Sequence, residues 1–187
     1  MTAAQLDQLD QQAQKRKRPG HAAGIQLQFH VGLRAEEAVQ ASTAVLAGWL
    51  RELTAGDSVT VSEGTKGGRV RQVHLPDAQA AIAVIRTALA ITESHGGFLI
   101  QQIQPGRLTL KQAMDCYCGY FQRRGVQTHS ARYAFACHRI EAYEQSGMSR
   151  SAALSRTARD LGHGPGRGRW VKRVYARYLL DLSLIHI

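Results

Sequence analysis

A single β-hairpin pattern, set among segments with helical periodicity, constrains the fold of this chain most strongly. Residues 58–62 and 69–75 alternate in polarity and are rich in β-branched side chains. The segment between them contains three glycines and carries Lys66. Such a pair of runs predicts an antiparallel hairpin with Lys66 at its tip, closed by Pro76.

The other patterned segments are helical. Apolar residues recur at helical spacing from Glu36 to Leu53, with glutamates in the first turn, where they suit the helix dipole. Glycine-containing breaks separate further helical patterns at about 77–94, 109–124, 130–146, 150–161 and 169–182. We therefore expect an α+β fold that is mainly helical, with one small antiparallel sheet.

The chain has 187 residues, 44% of them hydrophobic, which suits one domain with a real core and is too short for two well-developed ones. Residues 1–22 are Gln-rich and polar, and four consecutive cations precede Pro19 and Gly20. This composition predicts a polar basic arm or linker before a domain over residues 23–181. Residues 182–187 are unusually apolar for a surface tail. They are a packing element, the start of a missing segment or non-native sequence.

The charge balance points to a polyanionic partner. Lysine and arginine number 24 against 14 acidic residues, giving a net charge of +10. Nucleic acid is the commonest such partner. The sequence contains no apolar run long enough to cross a bilayer, and the first twenty residues lack the apolar stretch of a secretory signal. We expect a cytoplasmic protein whose three cysteines, an odd number, stay reduced.

Three sites place basic residues where they could meet a phosphate. Arg34 opens the first strong helix, with Glu37 one turn later to orient it. Lys66 lies in a pliable glycine-rich turn. His129 and Arg132 share one face at the start of another helix, so both could address one anion. Taken singly, each is better explained as a surface residue, a turn lysine or a helix cap.

Two further signals follow in the last third of the chain. Gly162 ends a helical pattern, and a glycine-rich loop then presents His163, which alone would indicate only a helix C-cap and a turn. A basic helical segment after that loop carries Tyr175 and Tyr178.

The order of these motifs is more specific than any one of them. Gly-Leu-Arg-x-x-Glu, a hairpin lysine, His-x-x-Arg, Leu-Gly-His and a tyrosine on a late helix follow one another. This order resembles the catalytic domain of the tyrosine recombinases, the phage integrase family, over about residues 25–180. The resemblance is to the prophage or integrative-element type.

The resemblance implies a role for each matched residue in site-specific cleavage and rejoining of double-stranded DNA. Arg34 and Arg132 would clamp the scissile phosphate and His163 would donate a hydrogen bond to it. Lys66 would protonate the departing 5′ oxygen, and His129 would manage the proton of the nucleophile. Tyr175 would form a 3′-phosphotyrosyl link that conserves the phosphodiester energy, so no cofactor, whether ATP or metal, is implied.

The chain departs from the family pattern in two respects. The gap between His163 and the tyrosine is about three residues longer than usual if Tyr175 is the nucleophile. Tyr175 lies in the better context, but Tyr178 remains the alternative. Family members also clamp DNA with an N-terminal core-binding domain, and only a polar segment precedes Ile25 here. We expect this part to be missing or to come from a separate polypeptide, and other recombinase protomers to be partners on DNA.

Two other functions compete with recombination. A non-catalytic or truncated integrase-like protein would keep the basic surface and bind DNA without forming a covalent adduct. A metal site would need Cys116, Cys118 and Cys137, whose spacing is poor for tetrahedral zinc and whose positions on helices suit buried small hydrophobes. The sequence contains neither a P-loop motif nor an obvious carboxylate cluster for a metal-dependent nuclease.

Overall fold

The computed structural model describes residues 1–75, 78–100, 108–164 and 166–175. Within these ranges the helices are α1 (Ala3–Lys15), α2 (Pro19–His30), α3 (Ala35–Gln40), α4 (Thr43–Ala55), α5 (Ala78–Ser94), α6 (Leu110–Gln122), α7 (His129–Gln145), α8 (Arg150–Asp160) and α9 (Gly168–Val174). Two strands, β1 (Ser58–Val61) and β2 (Arg71–His74), pair antiparallel. The predicted mainly helical α+β fold with one hairpin is confirmed. Pro76, Tyr178 and the tail at 182–187 lie outside the described residues.

Helix α2 occupies the centre of the domain and packs against α1, α3, α5 and α7. It is buried on nearly every side, which two glycines allow. A Cβ on Gly20 would lie 1.7 Å from the carbonyl oxygen of Leu99, and a Cβ on Gly24 would lie 2.8 Å from the ring of Tyr117. Close backbone approach therefore sets the position of this helix.

Residues 1–22, predicted to be a polar basic arm or linker, contain helix α1 and the first turn of α2. Thr2 and Gln5 form a reciprocal capping box at the start of α1. Leu6, Leu9 and Ala13 then bury one stripe of the helix in the core. The division into an arm over residues 1–22 and a domain over residues 23–181 stays a prediction.

The predicted helix from Glu36 to Leu53 is in fact two helices. Ala41 is extended, and the side chain of Ser42 accepts a hydrogen bond from the Val45 amide, which starts α4 as a new helix. The apolar residues keep helical spacing on both sides of this break, which is why their periodicity hides it.

The hairpin is fixed to α4 by two polar contacts. The indole nitrogen of Trp49 donates to the carbonyl of Thr60 at 2.7 Å, and the Thr60 amide donates to the Glu52 carboxylate at 2.6 Å. Val59 faces Val73 across the ladder, and both are buried. The next inward position pairs Val61 with Arg71, so a charged side chain occupies the apolar face of the hairpin.

Candidate active site

The candidate active site is built around Glu37, on the first turn of α3. Its carboxylate is fully buried and accepts from the Arg34 amide at 2.7 Å and from Arg34 Nη1 at 2.6 Å. Arg71 reaches the same carboxylate from β2, with Nη1 at 2.5 Å from one oxygen and Nη2 at 2.7 Å from the other. Burial alone would raise the pKa of Glu37, but hydrogen bonds and charge from Arg71 lower it below its usual value. The group is therefore an anion that holds two guanidinium groups in place.

Arg132, on α7, is the third guanidinium of the cluster and is 1% exposed. Its two Nη groups donate to the carbonyls of Gly32 and Leu161, and Nη1 lies 3.9 Å from Glu37. Burial first, and then the charge of Arg71, lower its pKa to about 10, so it stays protonated at neutral pH. Its Nε is buried and has no hydrogen-bond partner among the described residues.

The carbonyl of Leu161 joins two of the predicted site residues. It ends α8, where the helix dipole is negative, and it accepts hydrogen bonds from Arg34 Nη2 at 3.3 Å and from Arg132 Nη2. Gly162 follows with φ +69°, and a Cβ there would lie 2.7 Å from Cδ of Arg71. The Leu-Gly-His motif therefore needs its glycine for both conformation and space.

His163 and Tyr175 lie together beside this cluster. The Tyr175 hydroxyl is 3.5 Å from His163 Nε2, and the Trp170 ring packs against both side chains. Burial first, and then the charges of Arg132 and Arg34, lower the pKa of His163 to about 4. His163 is neutral at pH 7, and Tyr175 is only 1% exposed.

His129 and Lys66 are placed less centrally. His129 is exposed at the start of α7, and its ring lies 4.8 Å from that of Tyr133, which in turn lies 4.7 Å from that of Tyr175. Partial desolvation first, and then the charges of Arg132 and Arg34, lower its pKa. Lys66 is exposed in the hairpin turn, and its side chain forms no hydrogen bond or ion pair with another described residue.

The structure thus brings Arg34, Arg132, His163 and Tyr175 together, with His129 at the edge. An open cleft of about 370 Å³ is lined by His163, but by none of the other four residues. Its lining is mostly basic and polar, from Arg69, Arg71, Gln72, Arg156, Arg159, Asp160 and His163. Such a cleft is suited to an anionic backbone.

Sequence reasoning missed Arg71. Its two Nη groups bind Glu37, and its Nε donates to the carbonyl of Asp160 at 3.0 Å. Arg71 therefore connects the hairpin, α3 and the end of α8. The signal was present in the alternation of β2, where Arg71 shares the inward phase with Val73 and Leu75. A charged residue in that phase predicts a buried partner.

A second missed group holds the turn before Arg34. The Tyr117 hydroxyl donates to the side-chain oxygen of Gln28 at 2.6 Å, and the Gln28 amide donates to the carbonyl of Leu33 at 3.3 Å. Gly32, with φ +70°, starts the turn, and a Cβ there would lie 2.5 Å from the Phe135 ring. Nothing in the local sequence around Gln28 signals this contact.

The cysteines do not form a metal site. Among the described residues no group of three or more His, Cys, Asp or Glu side chains could hold a metal ion. Cys116 contacts His21, and Cys137 contacts the carbonyl of Tyr175. No helix within the described ranges is long and apolar enough to cross a membrane.

The site combines three guanidinium groups around one carboxylate with a histidine and a tyrosine, in a mainly helical domain with one hairpin. This arrangement fits the resemblance that the order of the motifs gave. The chain matches the Integrase_1 family model, described as integrase, over residues 1–138, and therefore belongs to the phage integrase, or tyrosine recombinase, family. Comparison with curated proteins gave no match, and comparison with solved structures gave none either.

The matched range includes Arg34, Lys66, His129 and Arg132 and ends before His163 and Tyr175. It begins at residue 1 and so includes α1. The order of the motifs, together with the 3.5 Å between the Tyr175 hydroxyl and His163 Nε2, points to His163 and Tyr175.

Proposed function

We propose that this protein is a site-specific DNA recombinase that cleaves and rejoins strands through a 3′-phosphotyrosyl intermediate on Tyr175. The proposal rests on the hydrogen bonds that Arg34 and Arg132 both donate to the carbonyl of Leu161. His163 follows two residues later, and its Nε2 lies 3.5 Å from the Tyr175 hydroxyl. Two guanidinium groups, a histidine and a phenol in one place suit in-line attack on a phosphodiester.

The Nε of Arg132 is a buried donor that no described residue satisfies. A buried donor without a partner costs about 1–3 kcal/mol, and a phosphate oxygen would satisfy it. Arg34 has a side chain that is 24% exposed, so it is open to solvent in a way that Arg132 is not. Together they would neutralise charge that grows on the phosphate oxygens in the transition state.

The proposed reaction uses these residues as follows. The Tyr175 oxygen forms a bond to phosphorus while the bond from phosphorus to the 5′ oxygen breaks, leaving a free 5′ hydroxyl. In this proposal His163, which is neutral and 3.5 Å from the phenol oxygen, takes its proton, a role that the resemblance gives to His129. Lys66 supplies a proton to the departing oxygen. Glu37 and Arg71 are positioning residues that act through Arg34 and Arg132.

The burial of Tyr175 favours a second candidate function. A phenol that is 1% exposed, covered by the rings of Trp170 and Tyr133, cannot meet a duplex phosphate unless its segment moves on binding. A non-catalytic integrase-like DNA-binding protein requires no such movement. Both functions predict DNA binding that weakens steeply with salt.

Covalent capture separates the two functions. The full chain is incubated with duplexes randomised in sequence, denatured, digested with nuclease and analysed by tandem mass spectrometry. Recombination predicts a nucleotide 3′-phosphate on Tyr175 that is absent in Tyr175→Phe and retained in Tyr133→Phe, the matched control. An adduct that persists in Tyr175→Phe and disappears in Tyr178→Phe would identify Tyr178 as the nucleophile. DNA binding without any adduct would favour the non-catalytic protein.

A further inference from the structure

A second cationic surface lies where α1 and α6 end. A cleft of about 740 Å³ opens between these two helix ends and is lined by Gln12, Lys15, Arg16, Arg123 and Arg124. We name it the α1–α6 cleft. Lys15 is the last residue of α1, and Arg16 and Arg123 are the C-cap residues of α1 and α6. The fold therefore joins two basic runs that are far apart in the sequence, and no acidic residue lines the cleft.

Only one of the four cations has a clear structural role. Nη1 of Arg124 donates to the carbonyl of Tyr120 at 2.6 Å, and its guanidinium carbon lies 3.6 Å from the centre of the Tyr120 ring. Lys15, Arg16 and Arg123 are exposed, and their side chains form no hydrogen bond or ion pair within the described parts of the chain. Helix ends attract cations, but each is equivalent to only about half a negative charge. Two such ends leave most of this positive charge unbalanced.

The buried residue next to the cleft responds to that charge. His21 is 3% exposed and packs against the rings of Tyr117 and Tyr120. Its pKa is lowered to about 4, by burial first and then by the positive charges of Arg18, Arg124 and Arg123. Arg123 and Arg124 of the cleft therefore lie close enough to His21 to act on its charge.

We propose that the α1–α6 cleft binds the phosphate backbone of double-stranded DNA through residues distinct from those around Glu37. The inference rests on the proposed function in taking DNA as the polyanion. Cationic side chains that have no ion-pair partner in the protein release counterions from DNA when they bind its phosphates. This release gives affinity without sequence preference. The cleft adds a second anchor to the duplex, separate from the scissile phosphate.

The salt dependence of binding tests this proposal. Fluorescence anisotropy with a random-sequence duplex of about 30 base pairs, between about 50 and 200 mM salt, gives the slope of log affinity against log salt. Replacing three cations that each contact a phosphate should make this slope shallower by about 2 to 3. The variant combines Lys15→Gln, Arg16→Gln and Arg123→Gln. Arg124 is left in place because it packs on Tyr120.

A matched variant controls for net charge. It removes three exposed cations elsewhere, on α4, α5 and the start of α6, by Arg51→Gln, Arg86→Gln and Lys111→Gln. We expect its slope to change by less than about 1. Equal changes in the two variants, or an unchanged slope in the cleft variant, would refute the cleft as a DNA site.

This outcome is independent of strand cleavage. Binding of a random duplex needs no covalent step, so the slope can be measured in a Tyr175→Phe background. A shallower slope for the cleft variant, together with no adduct on the wild-type chain, would support the cleft as a DNA site and refute the recombinase. An adduct on the wild-type chain, together with an unchanged slope for the cleft variant, would support the recombinase and refute the cleft as a DNA site.

Discussion

Replacing Glu37 by Gln should be severely destabilising, because this carboxylate holds the candidate site together. Its side chain is 0% exposed and accepts four hydrogen bonds, two from Arg34 and two from Arg71, with Arg132 3.9 Å away. Gln is nearly isosteric but neutral, and its NH₂ group would face donors. Removing one partner of a buried ion pair costs about 3–5 kcal/mol of unfolding free energy.

Urea denaturation of the full chain measures this loss, and a surface pair supplies the control. Glu144 and Arg150 are 2.6 Å apart, but their side chains are 32% and 46% exposed, so Glu144→Gln should cost no more than about 1 kcal/mol. Added sulfate should stabilise Glu37→Gln more than the wild-type protein, because the partly exposed Arg34 loses its carboxylate partner and can bind an anion instead. At about 100 times its Kd, an anion contributes about 2.7 kcal/mol. A cost for Glu37→Gln as small as that for Glu144→Gln would refute the reasoning.

Three further predictions concern the same architecture. The unfolding free energy should fall as the pH drops from 6.5 to 4, by about 3 kcal/mol from His21 alone. The reason is that His21 binds a proton near pH 6.5 in the unfolded chain and only near pH 4 in the folded chain. The unfolding free energy, measured by denaturation at each pH, should depend less steeply on pH in His21→Phe. Gly162→Ala should cost about 1–2 kcal/mol for its φ of +69° and should also displace Arg71, whereas Gly147→Ala, with φ +91° and open space, should show only the backbone cost in the same unfolding assay. Arg71→Lys keeps the charge but loses the fork that spans both Glu37 oxygens, so covalent capture should slow about 10–100-fold at unchanged DNA affinity; equal losses of rate and affinity would contradict its positioning role.

The elements that could be predicted from sequence are those with a strong period. The hairpin and the helices from α5 to α8 follow their apolar spacing, and the end of each is close to the glycine or capping residue that predicted it. Helix α2 could not be found in this way, because a helix buried on all sides has no polar face. The break at Ala41 and Ser42 was hidden because the apolar spacing continues across it.

The candidate site was predictable in part. The order of motifs selects Arg34, Arg132, His163 and Tyr175, and the structure places these four together. Arg71 contacts Asp160 and Gln28 contacts Tyr117, and both partners are distant in sequence, so no local pattern identifies them. The positions of His129 at the edge and of Lys66 in the exposed turn depend on tertiary packing that motif spacing does not describe.

The central claim is that one anion site, formed by Arg34, Arg132 and His163, lies within reach of the Tyr175 hydroxyl. The most direct test is a crystal structure of the full chain with orthovanadate, which adopts the geometry of a phosphoryl transition state. We predict vanadate within hydrogen-bond distance of both guanidinium groups and His163, with the Tyr175 oxygen as an apical ligand. Vanadate bound elsewhere in the chain, with this position empty of anion at saturation, would contradict the account.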